Sequence, residues 1–240
     1  MSDFIVGVDV SAHQPPEKID WKALHKQGVR FAIIKAAEGV GDNTYRAGEH
    51  ANKAVAAGVH VGYYSFARPR TAAKYEAERK IGPGWEATAL AQGRQLVENV
   101  KDLPFPSMGL WLDLEVNDDL MDPVTLAAWS ETFLSVLSDA RYATGIYAGY
   151  YFLKENVAPT ETLAEQPLWI PWYHGAATGP RRTPPLWKDW AIHQWTDKGR
   201  LDGYDGPLDL NVAQPSAYRR ILLRSRLQRL PKLLRWAFDR

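Results

Sequence analysis

Strand-like and helix-like segments alternate along the first 150 residues, and that order confines the chain to a parallel α/β architecture. FIVGVDV (4–10) reads as a strand, DWKALHKQG (20–28) as a short helix capped by Asp20 and ended by Gly28, and RFAIIKAA (30–37) as a second strand. A helix at EHANKAVAAG (49–58) and a third strand at VHVGYYSFA (59–67) repeat the unit. Residues 86–101 read as helical and GLWLDLEV (109–116) as the fourth strand. PVTLAAWSETFLSVLSDA (123–140) is an amphipathic helix opened by Asp122-Pro123, and TGIYAGY (144–150) is the fifth strand. PLWIPWY (167–173), DWAIHQW (189–195) and PLDLNV (207–212) then follow as short strand-like runs with little helix between them. Seven or eight strands, with helices mainly after the early ones, predict a parallel barrel whose later helices have shrunk. An open doubly wound sheet is the alternative.

The fourth strand carries an anomaly. Side chains alternate across a strand, so Leu110, Leu112, Leu114 and Val116 share one face while Gly109, Trp111, Asp113 and Glu115 share the other. Leucines suit a face covered by helices. An ionised carboxylate is too costly to bury alone, so Asp113 and Glu115 must be paired, metal-bound or turned toward a wet cleft. Parallel barrels gather their active sites at the carboxyl ends of strands. Asp9 closes the first strand, Asp113 and Glu115 the fourth and Asp209 the last, so four carboxylates remote in sequence are expected at one mouth. Any single acid there reads equally well as a turn cap; four in agreement point to a site. Two acids two residues apart on one face oppose each other's ionisation, which raises one pKa and leaves the other group charged.

These residues belong to longer blocks. GVDVSAHQ (7–14) with IDW (19–21), IIKAAEG (33–39), GYYSFARP (62–69), WLDLE (111–115), GIYAGYYFL (145–153), LWIPWY (168–173), and HQWT (193–196) leading to LDLN (208–211) closely resemble the glycoside hydrolase family 25 lysozymes of the Chalaropsis type. The resemblance runs in register from about residue 4 to 212. It implies an irregular TIM-like β/α barrel with eight strands and fewer than eight helices. It also implies hydrolysis of the β-1,4 bond between N-acetylmuramic acid and N-acetylglucosamine in bacterial peptidoglycan, without a cofactor. By motif, Glu115 would be the general acid and then base, and Asp113 would stabilise developing charge and orient the substrate's acetamido group. Asp9 and Asp209 would shape the electrostatics and hold substrate and water. Tyr63, Tyr147, Trp169, Tyr173, Gln194 and Asn211 sit in the matching blocks and are expected to line the groove, although the aromatics among them also suit a core. Glycoside cleavage needs one protonated carboxyl and one negative charge facing an oxocarbenium-like transition state; the substrate's own acetamido carbonyl or a water could be the nucleophile. A barrel that binds glycan without cutting it, and a chitinase-like glycosidase, are the other readings. The second is disfavoured because SMGLWLDLE lacks the longer acid series expected before the glutamate.

Composition narrows the remaining classes. At 240 residues and 45% hydrophobic content, one ordinary α/β domain suffices. No cysteine occurs, which removes disulfides and thiolate metal sites. GVGDN (39–43) lacks the spacing and lysine of a phosphate loop. His13, His174 and His193 show no compact metal-binding spacing, and a metal among the acids would compete for the proton that Glu115 must donate, so no metal is expected. The first residues, MSDFIVGVDV, do not form a secretory signal, and no apolar run spans a membrane; the chain is expected to be made in the cytoplasm and to reach the wall after release, as a bacteriophage endolysin does. Pro171 stands where similar enzymes often carry a small residue. A catalytic domain over 1–213 and a tail over 214–240 are expected, the whole acting as a monomer.

That tail is strongly basic. From Ser216 to Arg240 there are eight basic residues and one acid, leaving 21 basic and 27 acidic residues before it. On a helical wheel Leu223, Leu227, Leu230, Leu234, Ala237 and Phe238 fall together, with Arg219, Arg220, Arg224, Lys232 and Arg235 around them and a kink expected at Pro231. A helix docked on the barrel and a segment attracted to anionic membrane or lipopolysaccharide are the two main readings. Nucleic-acid binding is not expected, because the body is acidic and lacks a reading element.

Overall fold

The computed structural model describes residues 4–42, 44–70 and 84–229. Its strands are β1 (Ile5–Val10), β2 (Val29–Glu38), β3 (Gly41–Asp42), β4 (His60–Phe66), β5 (Leu110–Asp113), β6 (Thr144–Tyr147), β7 (Leu168–Pro171), β8 (Ile192–Leu201) and β9 (Tyr204–Ala213). The α-helices are α1 (Trp21–Lys26), α2 (Thr44–Ala56), α3 (Trp85–Val100), α4 (Pro123–Asp139), α5 (Tyr150–Asn156), α6 (Glu161–Ala164) and α7 (Pro215–Gln228), seven among the described residues. Neighbouring strands run β1-β9-β8-β7-β6-β5-β4-β2-β3, and an extra β1–β2 pairing closes eight of them into a barrel, with the two-residue β3 appended to β2. The α/β barrel expected from the strand-helix order is therefore present.

One expectation requires correction. The barrel is not wholly parallel: β9 runs antiparallel to both β8 and β1, while the other neighbours in the ring are parallel. The cause is a two-residue Asp202-Gly203 turn between β8 and β9, with Gly203 at φ +104°. An Asp-Gly pair between extended runs is a strong hairpin signal, and a hairpin reverses the strand. The expected strand TGIYAGY also stops early, at Tyr147, because Tyr150 begins α5.

Two apolar layers follow from the alternation. Leu110, Leu112 and Leu114 of the β5 segment pack outward with Trp129, Phe133 and Leu137 of α4 and Leu96 of α3. Trp111 points the other way, into a barrel interior it shares with Phe31, Ile33, Tyr64, Met108, Tyr147 and Trp169. Gly145 on the facing strand makes room for it, since a Cβ there would lie 2.3 Å from the Trp111 ring. Helix α7 stoppers the opposite end. Its Ala217 and Ile221 join the interior cluster, and Tyr218 lies 6.1 Å by ring centroid from Phe31. This corrects the helical wheel: Ala217, Ile221 and Ser225 form the docked face, whereas Leu223 is 56% exposed. Leu230, Pro231, Lys232, Leu234, Arg235, Ala237 and Phe238 lie outside the described residues.

Candidate active site

Three parallel strands deliver acids or their partners to one end of the barrel. Asp9 sits next to last in β1, Asp113 ends β5 and Tyr147 ends β6, with Asp113 and Tyr147 paired in register. Glu115 follows two residues beyond β5 and is exposed at the rim. Asp209 arrives differently from the expectation. It lies within β9 rather than at a carboxyl end, and it reaches the mouth because the reversed strand sets it directly opposite Asp9.

The acids fall into two neighbouring pairs, Asp113 with Glu115 two residues on and Asp9 with Asp209 directly across the sheet. Two carboxylates side by side oppose each other's ionisation, which favours one proton per pair. Burial acts on both members. Asp9 and Asp113 are each only 5% exposed, and burial, then the charge of the neighbouring acid, pushes both well above the usual carboxylate range. Loss of hydration in the mouth also raises Glu115, exposed though the residue is, against hydrogen bonds from Asp113 and Tyr147 and the charge of Lys35 that draw it down. Burial pushes Asp209 up to about 6 while Asp9 pulls it down. Burial thus favours the neutral form most strongly for the inner acids, Asp9 and Asp113.

An amide and phenol network joins the pairs. Asp9 Oδ2 accepts from Asn211 Nδ2 at 2.7 Å and from Gln194 Nε2 at 2.9 Å. Gln194 Oε1 in turn accepts from the hydroxyls of Tyr147, at 2.8 Å, and Tyr173, at 2.7 Å. Tyr147 also acts on Glu115, whose pKa it draws down. Among the groove residues expected from sequence, Tyr173 stands exposed at the rim, while Tyr147 and Gln194 sit buried just below it. Asn211 and Trp169 form the floor instead of the wall. Asn211 Oδ1 accepts from Trp169 Nε1 at 2.8 Å, and the Trp169 ring meets Tyr147, Trp111 and Tyr64 edge-on.

Tyr63 is not in the site. It faces the outer layer, fully buried, and its hydroxyl donates to the Pro104 carbonyl at 2.7 Å. Its neighbour Tyr64 turns inward, and burial together with the charges of Asp9, Asp113, Asp209 and Glu115 keeps its hydroxyl protonated. Adjacent tyrosines leave the phase of a strand ambiguous; the register that pairs Tyr64 with the inward Trp111 resolves it. Lys35 is a second residue that sequence reasoning missed. It lies two residues beyond the inward Ile33, its charge reaches Asp113 and Glu115, and its ammonium is held by Glu38 at 2.7 Å. A lone lysine in an apolar strand gives its partner no sequence signature.

Two of the three histidines considered as metal ligands serve the backbone. His193 Nε2 meets the Trp172 carbonyl at 2.9 Å and His174 Nε2 the Gly179 carbonyl at 3.0 Å. Among the described residues, no group of three or more His, Cys, Asp or Glu is arranged to hold a metal ion.

Comparison with known proteins gives the family and the fold. The sequence model for Glycosyl hydrolases family 25 matches residues 8–81 and 83–204. Lysozyme M1 of Streptomyces globisporus is 27% identical over 231 residues, covering 91% of this chain and 71% of the relative. The crystal structure of the CTP1L endolysin superposes with a TM-score of 0.71 at 25% identity, over 90% of this chain and 68% of that one. The bacterial lysozyme from Streptomyces coelicolor shares the fold with a TM-score of 0.74 at 23% identity, over 94% and 99%.

Proposed function

Because the chain belongs to the glycosyl hydrolases of family 25, we propose that its two acid pairs divide the labour of cutting peptidoglycan. The protein is a lysozyme, an N-acetylmuramidase that hydrolyses the β-1,4 bond between N-acetylmuramic acid and N-acetylglucosamine. The observation carrying the division is the buried Asp113 set beside Glu115 at the exposed rim, both pushed up by burial. A sugar docking against the rim strips water from Glu115 and favours its neutral form, so the pair's proton rests on it. Glu115 then protonates the leaving glycosidic oxygen as the bond to the anomeric carbon breaks. Asp113, now negative and buried beneath the ring, faces the oxocarbenium-like charge. Water completes the hydrolysis, its oxygen bonding to the anomeric carbon and its proton returning to Glu115. Asp9, pinned by Gln194 and Asn211, and Asp209 beside it keep negative potential at the far wall. The mouth is built from one chain, and the protein is read as acting as a monomer.

Mass spectrometry of digested cell walls tests this reading. Wild type should leave N-acetylmuramic acid at the new reducing ends, and Glu115→Gln should leave almost none. Reducing-end N-acetylglucosamine would overturn the assignment, and a clearing assay with no products would instead favour a binding barrel.

Helix α7 adds a reading about location. Arg219, Arg220, Arg224, Arg226 and Arg229 are exposed along it, a cationic strip on an otherwise acidic body. We read residues 214–240 as a segment that draws the enzyme to anionic membrane or lipopolysaccharide near its wall substrate. Charge-neutral glutamines at those five arginines should reduce killing of intact cells while leaving hydrolysis of purified peptidoglycan unchanged.

A further inference from the structure

Glu115 stands two residues past the end of β5, so the sheet does not fix it. What holds it must come from the segments on either side. On the near side the strand ladder still reaches: Ala67 N donates to the Asp113 carbonyl and Leu114 N to the Tyr147 carbonyl, each at 2.8 Å. On the far side residues 117–121 close into a turn. Asn117 Oδ1 accepts from Met121 N at 2.9 Å, Asn117 Nδ2 donates to the Met121 carbonyl at 2.8 Å, and Leu120 N donates to the Asn117 carbonyl at 3.1 Å. Those bonds stiffen the turn within itself but do not tie it to the barrel. Asp118 supplies the tie. Its Oδ2 accepts from Arg70 Nε at 3.1 Å, and its Oδ1 lies 3.6 Å from Arg68 Nη1. Both arginines follow β4, and Arg68 is itself anchored. Its backbone N–H donates to Gln92 Oε1 at 3.0 Å and its carbonyl accepts from Gln92 Nε2 at 2.6 Å, with Gln92 buried on α3. Its guanidinium donates twice to Glu38 Oε1, from Nη2 at 2.7 Å and from Nε at 3.1 Å, and Glu38 also holds Lys35. One line of charges thus joins the ends of β2 and β4 to the turn beyond Glu115.

We propose that Asp118, held by Arg68 and Arg70, is a positioning residue that fixes the turn beyond Glu115 and so keeps the Glu115 carboxyl beside Asp113 at the mouth. This rests on the reading of Glu115 as the general acid. The network adds little to stability, because its side chains are between 23% and 38% exposed and ion pairs in contact with water contribute little. Its value for placement is larger. A general acid must sit within hydrogen-bonding reach of the leaving oxygen, and a displacement of about 1 Å costs on the order of 10² in rate.

The test is kcat and KM for reducing-end release from solubilised peptidoglycan, with Tm, for Asp118→Asn, Arg70→Gln, the double variant and Arg70→Lys. Asp118→Asn keeps the shape and removes the charge; kcat should fall about tenfold or more, with KM unchanged and Tm lowered by less than about 3 °C. Arg70→Gln should lower kcat in the same sense, and the double variant should fall no further than Asp118→Asn, since both act through one contact. Arg70→Lys keeps the charge and should recover part of the loss. A drop in Tm that accounts for the lost activity, with the folded fraction turning over normally, would reduce the contact to a fold support and overturn the proposal. A raised KM with normal kcat would make Asp118 a substrate contact and overturn it too, as would unmoved kinetics. Glu115→Gln separates the two levels: full activity there removes the general-acid reading, whereas an inactive Glu115→Gln beside an unaffected Asp118→Asn overturns this inference alone.

Discussion

Glu115 and Asp113 are two residues apart and make opposite demands on their surroundings, so their variants should behave differently. Glu115→Gln removes the proton donor and should lower kcat by at least about 10², measured as reducing ends released per enzyme. Asp113→Asn should also lower kcat, through loss of the charge that faces the transition state. The same substitution removes a buried acid whose neutral form burial favours. Native Asp113 has a raised pKa, so its contribution to stability is full below the ordinary carboxylate range and is lost as pH rises through the native value. Asp113→Asn should therefore raise Tm at pH 8 by a few degrees, on the order of 2–4 °C for about 1 kcal/mol, while activity falls. An unchanged or lowered Tm would show that Asp113 is not held neutral. The position of these acids was legible in the sequence, because acids in a leucine-flanked strand need an explanation. Which of them holds the proton was not, because that depends on how much water each loses in the assembled mouth.

Among the elements, the β8–β9 hairpin carries the largest consequence for the site. Gly203 adopts φ +104°, and a Cβ there would lie 2.9 Å from both the Asp20 carbonyl and the Ala23 side chain. Gly203→Val should cost about 2 kcal/mol or more and lower activity with it, because Asp209 is placed opposite Asp9 by the register this turn sets. Thermal melts and lysis assays on the one variant check both. Helix α7 invites a second test. A chain ending at Arg229 keeps Ala217 and Ile221 in the barrel and should retain hydrolysis of purified peptidoglycan, whereas one ending at Gln214 uncovers the interior and should melt at lower temperature. Strands and long helices were readable from hydrophobic period and caps. The hairpin was present as Asp202-Gly203 but was masked by an expectation of parallel strands, and the docked face of α7 escaped because its small residues, Ala217 and Ser225, carry little hydrophobic signal.

For the molecule as a whole, two buried populations tilt stability against pH in opposite directions. His50 is 1% exposed, and burial lowers its pKa from 6.5 to about 4 against a backbone contact at Gln14 that raises it. The native state thus binds fewer protons there, and the stability His50 contributes is full above about 6.5 and fades as pH falls toward 4, a loss on the order of 3 kcal/mol. The paired acids act the other way, losing their contribution as pH rises through values such as the 6 of Asp209. Tm should pass through a maximum in mildly acidic buffer, and His50→Leu should flatten only its acid side; a fall of equal slope in that variant would exonerate His50. The ring itself bears on how the enzyme comes into being. Because β1 must join β9, the last strand to leave the ribosome is the one that locks the first, from Ile5 against Ala213 to Asp9 against Asp209. A nascent or truncated chain has no complete catalytic mouth, and native contacts of such long sequence separation make closure slow. During refolding from urea, helical signal should return before bacteriolysis does, and the cell that makes this enzyme holds an inert polypeptide until its final segment is in place.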